Sequence, residues 1–130
     1  MDGERREQPF PISLDGHGLG TLRVTADRRP GGVSVRLTGE MDIATAPQLV
    51  ATMRSLSRRD MQHVWLDLAG LTFIDASGLA ALVKARMLVD RQGGRLTLHG
   101  VRPLVHRLLA ITDLSSMFDL EPNLAAPRDR

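Results

Sequence analysis

The chain contains no cysteine, which removes disulfide bridges, thiol chemistry and thiolate metal sites from consideration. It has no tyrosine, one tryptophan and three phenylalanines, too few aromatic faces to stack the bases of a single strand. No apolar run approaches the roughly 20 residues that a membrane-spanning helix requires, so no membrane role is expected. The opening residues MDGERREQPF mix acids with arginines and lack an apolar segment, so no secretory signal is expected. The compartment these absences imply is the cytoplasm.

Lysine is also nearly missing: of 17 basic residues only Lys84 is not arginine. This explains why a sequence pI of about 10.3 accompanies a formal charge of only +2. Without tyrosine or cysteine, little titrates between histidine and arginine, and a small excess of charge persists to high pH. The arginines are scattered apart from the pairs Arg5-Arg6, Arg28-Arg29 and Arg58-Arg59. A weak, dispersed positive field argues against nucleic acid as a partner.

What is present fits one globular domain of 130 residues, 42% hydrophobic and 25% charged, long enough to bury a core. Residues 1–19 form an expected, partly ordered lead-in, in which Gly16-His17-Gly18-Leu19-Gly20 reads as a flexible turn. Its third glycine comes too early for a dinucleotide loop. The domain is expected over 20–120, followed by a flexible tail over 121–130. Leu22, Val24 and Ala26, then Val33, Val35 and Leu37, alternate with polar residues around an interruption at Arg28-Arg29-Pro30-Gly31-Gly32, the pattern of a hairpin. Thr45 and Gln48 have the spacing of a reciprocal capping box, Pro47 sits in the first turn, and Leu49, Val50, Met53 and Leu56 make a helical stripe.

The segment His63–Val83 is the corner around which the rest is arranged. Val64, Leu66 and Leu68 alternate with Trp65 and Asp67 as in a strand, and Gly70 is its expected end. A helix is expected from about Ala76, with Leu79, Leu82, Val83 and Met87 on its buried face and Asp75 as its cap. Glycine costs a helix roughly 1 kcal/mol relative to alanine, so Gly78 in the first turn needs a reason. One reading is that it bares the backbone beside Ser77, so that a second molecule reaches the hydroxyl and the helix-start amides favour an attached anion. The other is that Asp75 and Ser77 cap and fill a tight turn. Beyond the corner, Gly93-Gly94 stops the helix, Leu96 and Leu98 mark a strand, and Pro103 opens a helix with Leu104, Val105, Leu108 and Ile111 inward. Leu114, Met117, Phe118 and Leu120 close the core.

After the hairpin, the alternation of strand and helix implies parallel strands joined by right-handed crossovers. Polar residues at alternate strand positions imply a sheet covered on one side only. The expected class is α/β: an N-terminal β-hairpin feeding a mixed, mostly parallel sheet of about four to five strands with helices mainly on one face. His17, His63, His99 and His106 lack metal-ligand spacing, and no glycine run forms a phosphate loop, so no cofactor, metal or catalytic residue is expected. Asp42 and Asp75 read as turn and cap residues rather than as a catalytic carboxylate pair.

Three strings, Leu37-Thr38-Gly39-Glu40-Met41-Asp42-Ile43-Ala44-Thr45-Ala46, Val64-Trp65-Leu66-Asp67-Leu68 and Phe73-Ile74-Asp75-Ala76-Ser77-Gly78-Leu79, together with Gly93-Gly94-Arg95-Leu96, resemble the STAS domains of anti-sigma factor antagonists. The resemblance implies a non-enzymatic STAS-like fold that works by partner switching. The free form would bind an anti-sigma factor that is also a serine kinase and release a sigma factor. Phosphorylation of Ser77 would end that binding, and a phosphatase would reset it. The kinase would bring the nucleotide and Mg²⁺. The expected partner-binding residues are Asp42, Asp75, Ala76, Ser77, Gly78 and Leu79. Many such domains carry a second serine where Ala76 stands, so no substitute acceptor adjoins Ser77. The alternative role is a constitutive scaffold or accessory subunit of a signalling or lipid-transport complex, without a phosphoswitch.

At physiological salt the protein should show no sub-micromolar binding to duplex DNA, because dispersed arginines release few counterions. Fluorescence anisotropy checks this; tight, steeply salt-dependent binding would reveal a basic groove.

Overall fold

The computed structural model describes residues 21–121. The expected lead-in over 1–19, the glycine turn through Gly20 and the tail beyond Glu121 lie outside the described residues. Strands β1 (Leu22–Arg29) and β2 (Gly32–Met41) form the hairpin. Helix α1 (Ala46–Arg54), strand β3 (His63–Ile74), helix α2 (Ala76–Arg91), strand β4 (Arg95–His99), helix α3 (Pro103–Ile111) and strand β5 (Asp119–Leu120) follow. Short 3₁₀ turns at Asp60–Gln62 and Ser115–Met117 lead into β3 and β5.

The five strands lie in chain order, β1-β2-β3-β4-β5; β1 is antiparallel to β2 and the remaining pairs are parallel. Because the parallel strands are added without reversal, right-handed crossovers all step the same way and place their helices on the same face. The order therefore has no switch point and none of the crevice that accompanies one. Val33, Val35 and Leu37 of β2, with Val64, Leu66 and Leu68 of β3, are buried toward the helices, as the alternation predicts. Ser34, Arg36, Trp65 and Asp67 occupy the uncovered face.

Four expectations need correction. The third strand does not end at Gly70. Thr38↔Gly70, Gly39↔Leu71, Glu40↔Phe73 and Met41↔Ile74 extend its pairing with β2 through two register irregularities, and Leu71 and Ile74 are buried. Met87 is exposed: the seam of α2 is carried by Gly78, Leu79, Ala81, Leu82, Ala85 and Val89, where alanines let the helix approach the sheet. On α3 only Val105 and Leu109 are buried, while Leu104 and Ile111 are exposed, because the two-residue β5 leaves little sheet beneath the helix. The reciprocal Thr45–Gln48 box is absent. The Thr45 hydroxyl turns back to donate to the Glu40 carbonyl at 2.8 Å, and the Asp42 amide donates to Thr45 Oγ1 at 2.9 Å. His99 and His106 are exposed, as expected for a strand end and a helix surface.

Asp60 ties the hairpin tip to the turn before β3. Its buried carboxylate accepts two hydrogen bonds from Arg28, at 2.9 and 3.2 Å, and one from the Ser57 amide at 3.0 Å. Burial alone would raise this carboxyl, but Arg28 and Ser57 outweigh it and hold it below its ordinary value. A depressed carboxyl contributes stability above the unfolded pKa, near 4, and loses that contribution as the pH falls through the folded value. Asp60→Asn should therefore cost about 1–3 kcal/mol at neutral pH and soften the acid-side loss of stability. Urea denaturation at several pH values measures both effects; parallel curves for the two proteins would refute the assignment.

Candidate functional site

The carboxyl ends of β2 and β3 lie side by side, and each is followed by an aspartate and a helix. Asp42 accepts the Ala44 and Thr45 amides on Oδ1, at 2.9 and 3.0 Å, and its carbonyl accepts the Ala46 amide at 2.8 Å. It therefore closes the turn that leads into α1, whose N-cap position, Thr45, makes no side-chain capping bond. Asp75 caps α2 as expected, its Oδ1 accepting the Ser77 amide at 2.9 Å and the Gly78 amide at 3.2 Å. The Asp75 amide donates to the Met41 carbonyl at 3.2 Å and joins the two turns.

Gly78 explains the closeness of that joint. A Cβ at this position would lie 2.6 Å from Ile74 Cγ1 and 2.9 Å from the Met41 carbonyl oxygen. The missing side chain thus admits the protein's own β2 end, which corrects the expectation that it opens Ser77 to an outside molecule. Gly78 and Leu79 are buried, so neither offers a surface to a partner, whereas Ala76 is exposed. Ser77 is half-buried rather than fully exposed, and its hydroxyl makes no hydrogen bond among the described residues. The Ser77 and Gly78 amides are occupied by Asp75, so the anion-stabilising role expected of them is not available while the cap stands.

Two residues of this corner were not among the expected site residues. Ile43, in the turn after Asp42, is 71% exposed, and Phe73, just before Ile74-Asp75, is 44% exposed. The signal was in the sequence: Ile43 stands in a strand-to-helix turn, where no periodic core position calls for an isoleucine. With exposed Ala44, Pro47, Ala76 and Ala80, they make the rim of the corner apolar, a composition that marks interaction surfaces. The chemistry on offer is a hydroxyl without a hydrogen bond among the described residues, two residues from a capping carboxylate, at turns that expose apolar side chains. Among the described residues no group of three or more metal-ligating side chains comes together, and no helix is long and apolar enough to cross a membrane.

The family model for the STAS domain matches residues 23–126. The chain belongs to that family. A similar relative is the anti-sigma F factor antagonist of Paenibacillus polymyxa, 34% identical over 102 residues that cover 78% of this chain and 85% of the relative. Among solved structures, an anti-sigma factor antagonist from Mycobacterium paratuberculosis matches with a TM-score of 0.67 at 24% identity, covering 87% of this STAS domain protein and 94% of that chain. The Bacillus cell fate determinant SpoIIAA in its phosphorylated form matches with a TM-score of 0.58 at 17% identity, covering 79% and 95%. At such identities both structures establish a shared STAS fold.

The tight joint makes a counterintuitive prediction. Gly78→Ala adds roughly 1 kcal/mol of helix propensity yet should lower stability on balance, because overpacking against Met41 and Ile74 costs about 1–3 kcal/mol. Chemical denaturation decides the sign, and a stabilised variant would show that the β2 end yields without cost.

Proposed function

We propose that this STAS domain is an anti-sigma factor antagonist that works by partner switching in the cytoplasm. Its unmodified corner binds a cognate anti-sigma factor with serine-kinase activity, and a sigma factor is released. Phosphorylation of Ser77 ends the binding, and a phosphatase restores it. The protein itself catalyses no step. The observation that carries this reading is the half-buried Ser77 hydroxyl, without a hydrogen bond among the described residues, at two joined turns that also expose Ile43 and Phe73. The names of the relatives support the partner class, and the phosphorylated SpoIIAA structure supports a fold that tolerates the modification.

In this reading Ile43, Phe73 and Ala76 supply the apolar contact, while Asp42 and Asp75 shape the two turns that present it. Leu79 and Gly78 act indirectly, by fixing the start of α2 against the core. Phosphate at Ser77 adds about −1.5 to −2 charges beside the Asp75 carboxylate. Exposed to solvent, that repulsion is screened and the positive end of α2 offsets part of it. Beneath a partner the same charges lose water, and like-charged contacts there cost several kcal/mol, with each 1.4 kcal/mol weakening binding tenfold.

Incubation with the cognate anti-sigma factor and Mg-ATP should place phosphate on Ser77 and weaken binding about a hundredfold or more in calorimetry. Ser77→Ala should bind and ignore ATP, and Ser77→Asp should bind weakly without unfolding. Ile43→Ala should weaken binding by about tenfold with no loss of stability, as for a peripheral hot spot. Asp75→Asn, which still caps, should alter phosphorylation or binding more than folding. Phosphate on another residue, or equal affinities for the modified and unmodified forms, would leave a constitutive scaffold as the better description.

A further inference from the structure

Among the described residues the sheet ends in two open edges of very different length. Strand β5 presents two residues, whereas β1 presents eight and pairs on one side only, with β2. Natural edge strands are blunted by brevity, proline, bulges or charged side chains. β1 has none of the first three: it contains no proline, and its register runs unbroken from Leu22↔Gly39 to Arg29↔Gly32.

That register also fixes which backbone groups are unpaired. Hydrogen-bonded and non-hydrogen-bonded residue pairs alternate along an antiparallel ladder. The two-residue loop Pro30-Gly31 closes on Arg29↔Gly32, and at the far end the Glu40 amide donates to the Thr21 carbonyl at 2.8 Å. Odd-numbered residues of β1 therefore turn their main-chain groups toward β2, and the N–H and C=O groups of Leu22, Val24, Ala26 and Arg28 point outward.

The charges along the strand are divided. Arg28 is drawn back by Asp60, whose Oδ1 accepts its Nε at 2.9 Å. Arg29 is drawn onto the uncovered face, where its Nη1 donates to Ser34 Oγ at 2.7 Å and its guanidinium lies 4.2 Å from the Trp65 ring centroid; the three side chains line one cavity. Asp27 lies in the same lining but forms no ion pair there. Arg23 and Asp27 are thus exposed, opposite in charge, on one face of the strand and without a side-chain partner among the described residues.

Two copies of β1 related by a twofold axis can pair antiparallel through the outward groups, provided even-numbered residues face even-numbered ones. An axis at Thr25 sets Leu22 opposite Arg28 and Val24 opposite Ala26 in hydrogen-bonded pairs. It also sets Arg23 opposite Asp27 in the closer non-hydrogen-bonded pairs, once on each side of the axis. An axis at Ala26 would oppose Arg23 to Arg29, one at Asp27 or Arg23 would oppose that residue to itself, and one at Val24 would leave both charges facing threonines. Opposite charges directly across two strands stabilise the pair and like charges destabilise it, so the charges select the Thr25 register.

We propose that the outer edge of β1 docks a second copy of this chain, joining two sheets into one, with Arg23 of each copy paired to Asp27 of the other. The inference is independent of the partner-switching reading, since none of these residues belongs to the Ser77 corner. A strand edge is a small contact, which places the dimer in the weak, transient class, with a dissociation constant on the order of 100 µM.

Sedimentation velocity of the full chain from about 1 µM to 1 mM should show a reversible monomer–dimer equilibrium. Arg23→Asp and Asp27→Arg should each weaken it at least about tenfold at an unchanged melting temperature, and the double reversal, which re-creates the pair with exchanged signs, should restore it. Amide hydrogen exchange locates the contact: Val24 and Ala26 should gain protection as concentration rises. A chain that stays monomeric over this range overturns the proposal, as does association that the single reversals leave intact or the double reversal does not rescue. Protection of both amides already in the monomer would mean that another segment of the chain covers the edge, and association without their protection would put the contact elsewhere; either result overturns it.

Discussion

The main-chain carbonyl of Met41 stands where two distant parts of the chain must meet. It accepts the Asp75 amide at 3.2 Å, and the α-carbon of Gly78 comes so near that a methyl there would lie 2.9 Å away. A backbone acceptor buried at a strand end needs a partner, and the cap of α2 supplies it. This single junction fixes the start of α2 relative to β2, and therefore the position of Ser77. It also sets the Asp42 turn beside the Asp75 turn, so that Ile43 and Phe73 share one corner with a serine more than thirty residues from Ile43.

The strand order governs everything outside that junction. Adding β3, β4 and β5 in sequence on one side of β2 gives every crossover the same direction, so among the described residues the three helices lie on one face of the sheet. The covered face accounts for the core, with Leu66, Leu68, Leu82 and Leu98 fully buried. The bare face is free to hold charged rows and an aromatic side chain in the open, which is where Trp65, Arg29 and Ser34 assemble. A two-layer fold thus separates a corner built from capped turns from a face built from strand side chains, and the two can be altered independently.

The strands, the helices and the Asp75 cap were legible in the sequence because each rests on local physics: a period of two, a period near 3.6, and a carboxylate one residue before a helix. The serine-glycine pair and its flanking motifs identified the family for the same reason, being contiguous. The errors share another cause. Thr45 has the right type and spacing for a capping box, but its hydroxyl is claimed by Glu40 and Asp42. Met87, Leu104 and Ile111 have apolar character but nothing to cover, and the small alanines of α2 carry the seam instead.

Sequence by itself determined the α/β class, the order of the elements and the family. All of these follow from interactions between residues near one another along the chain, or from contiguous motifs. Tertiary structure decided what Gly78 is for, that Ser77 is half-buried with no hydrogen bond to its hydroxyl among the described residues, that Ile43 and Phe73 are exposed in the two joined turns, and that Arg29, Ser34 and Trp65 line one cavity. Each of those depends on which strand lies next to which and in what register. A shift of one residue would send every side chain of a strand to the opposite face, and no local propensity records that choice.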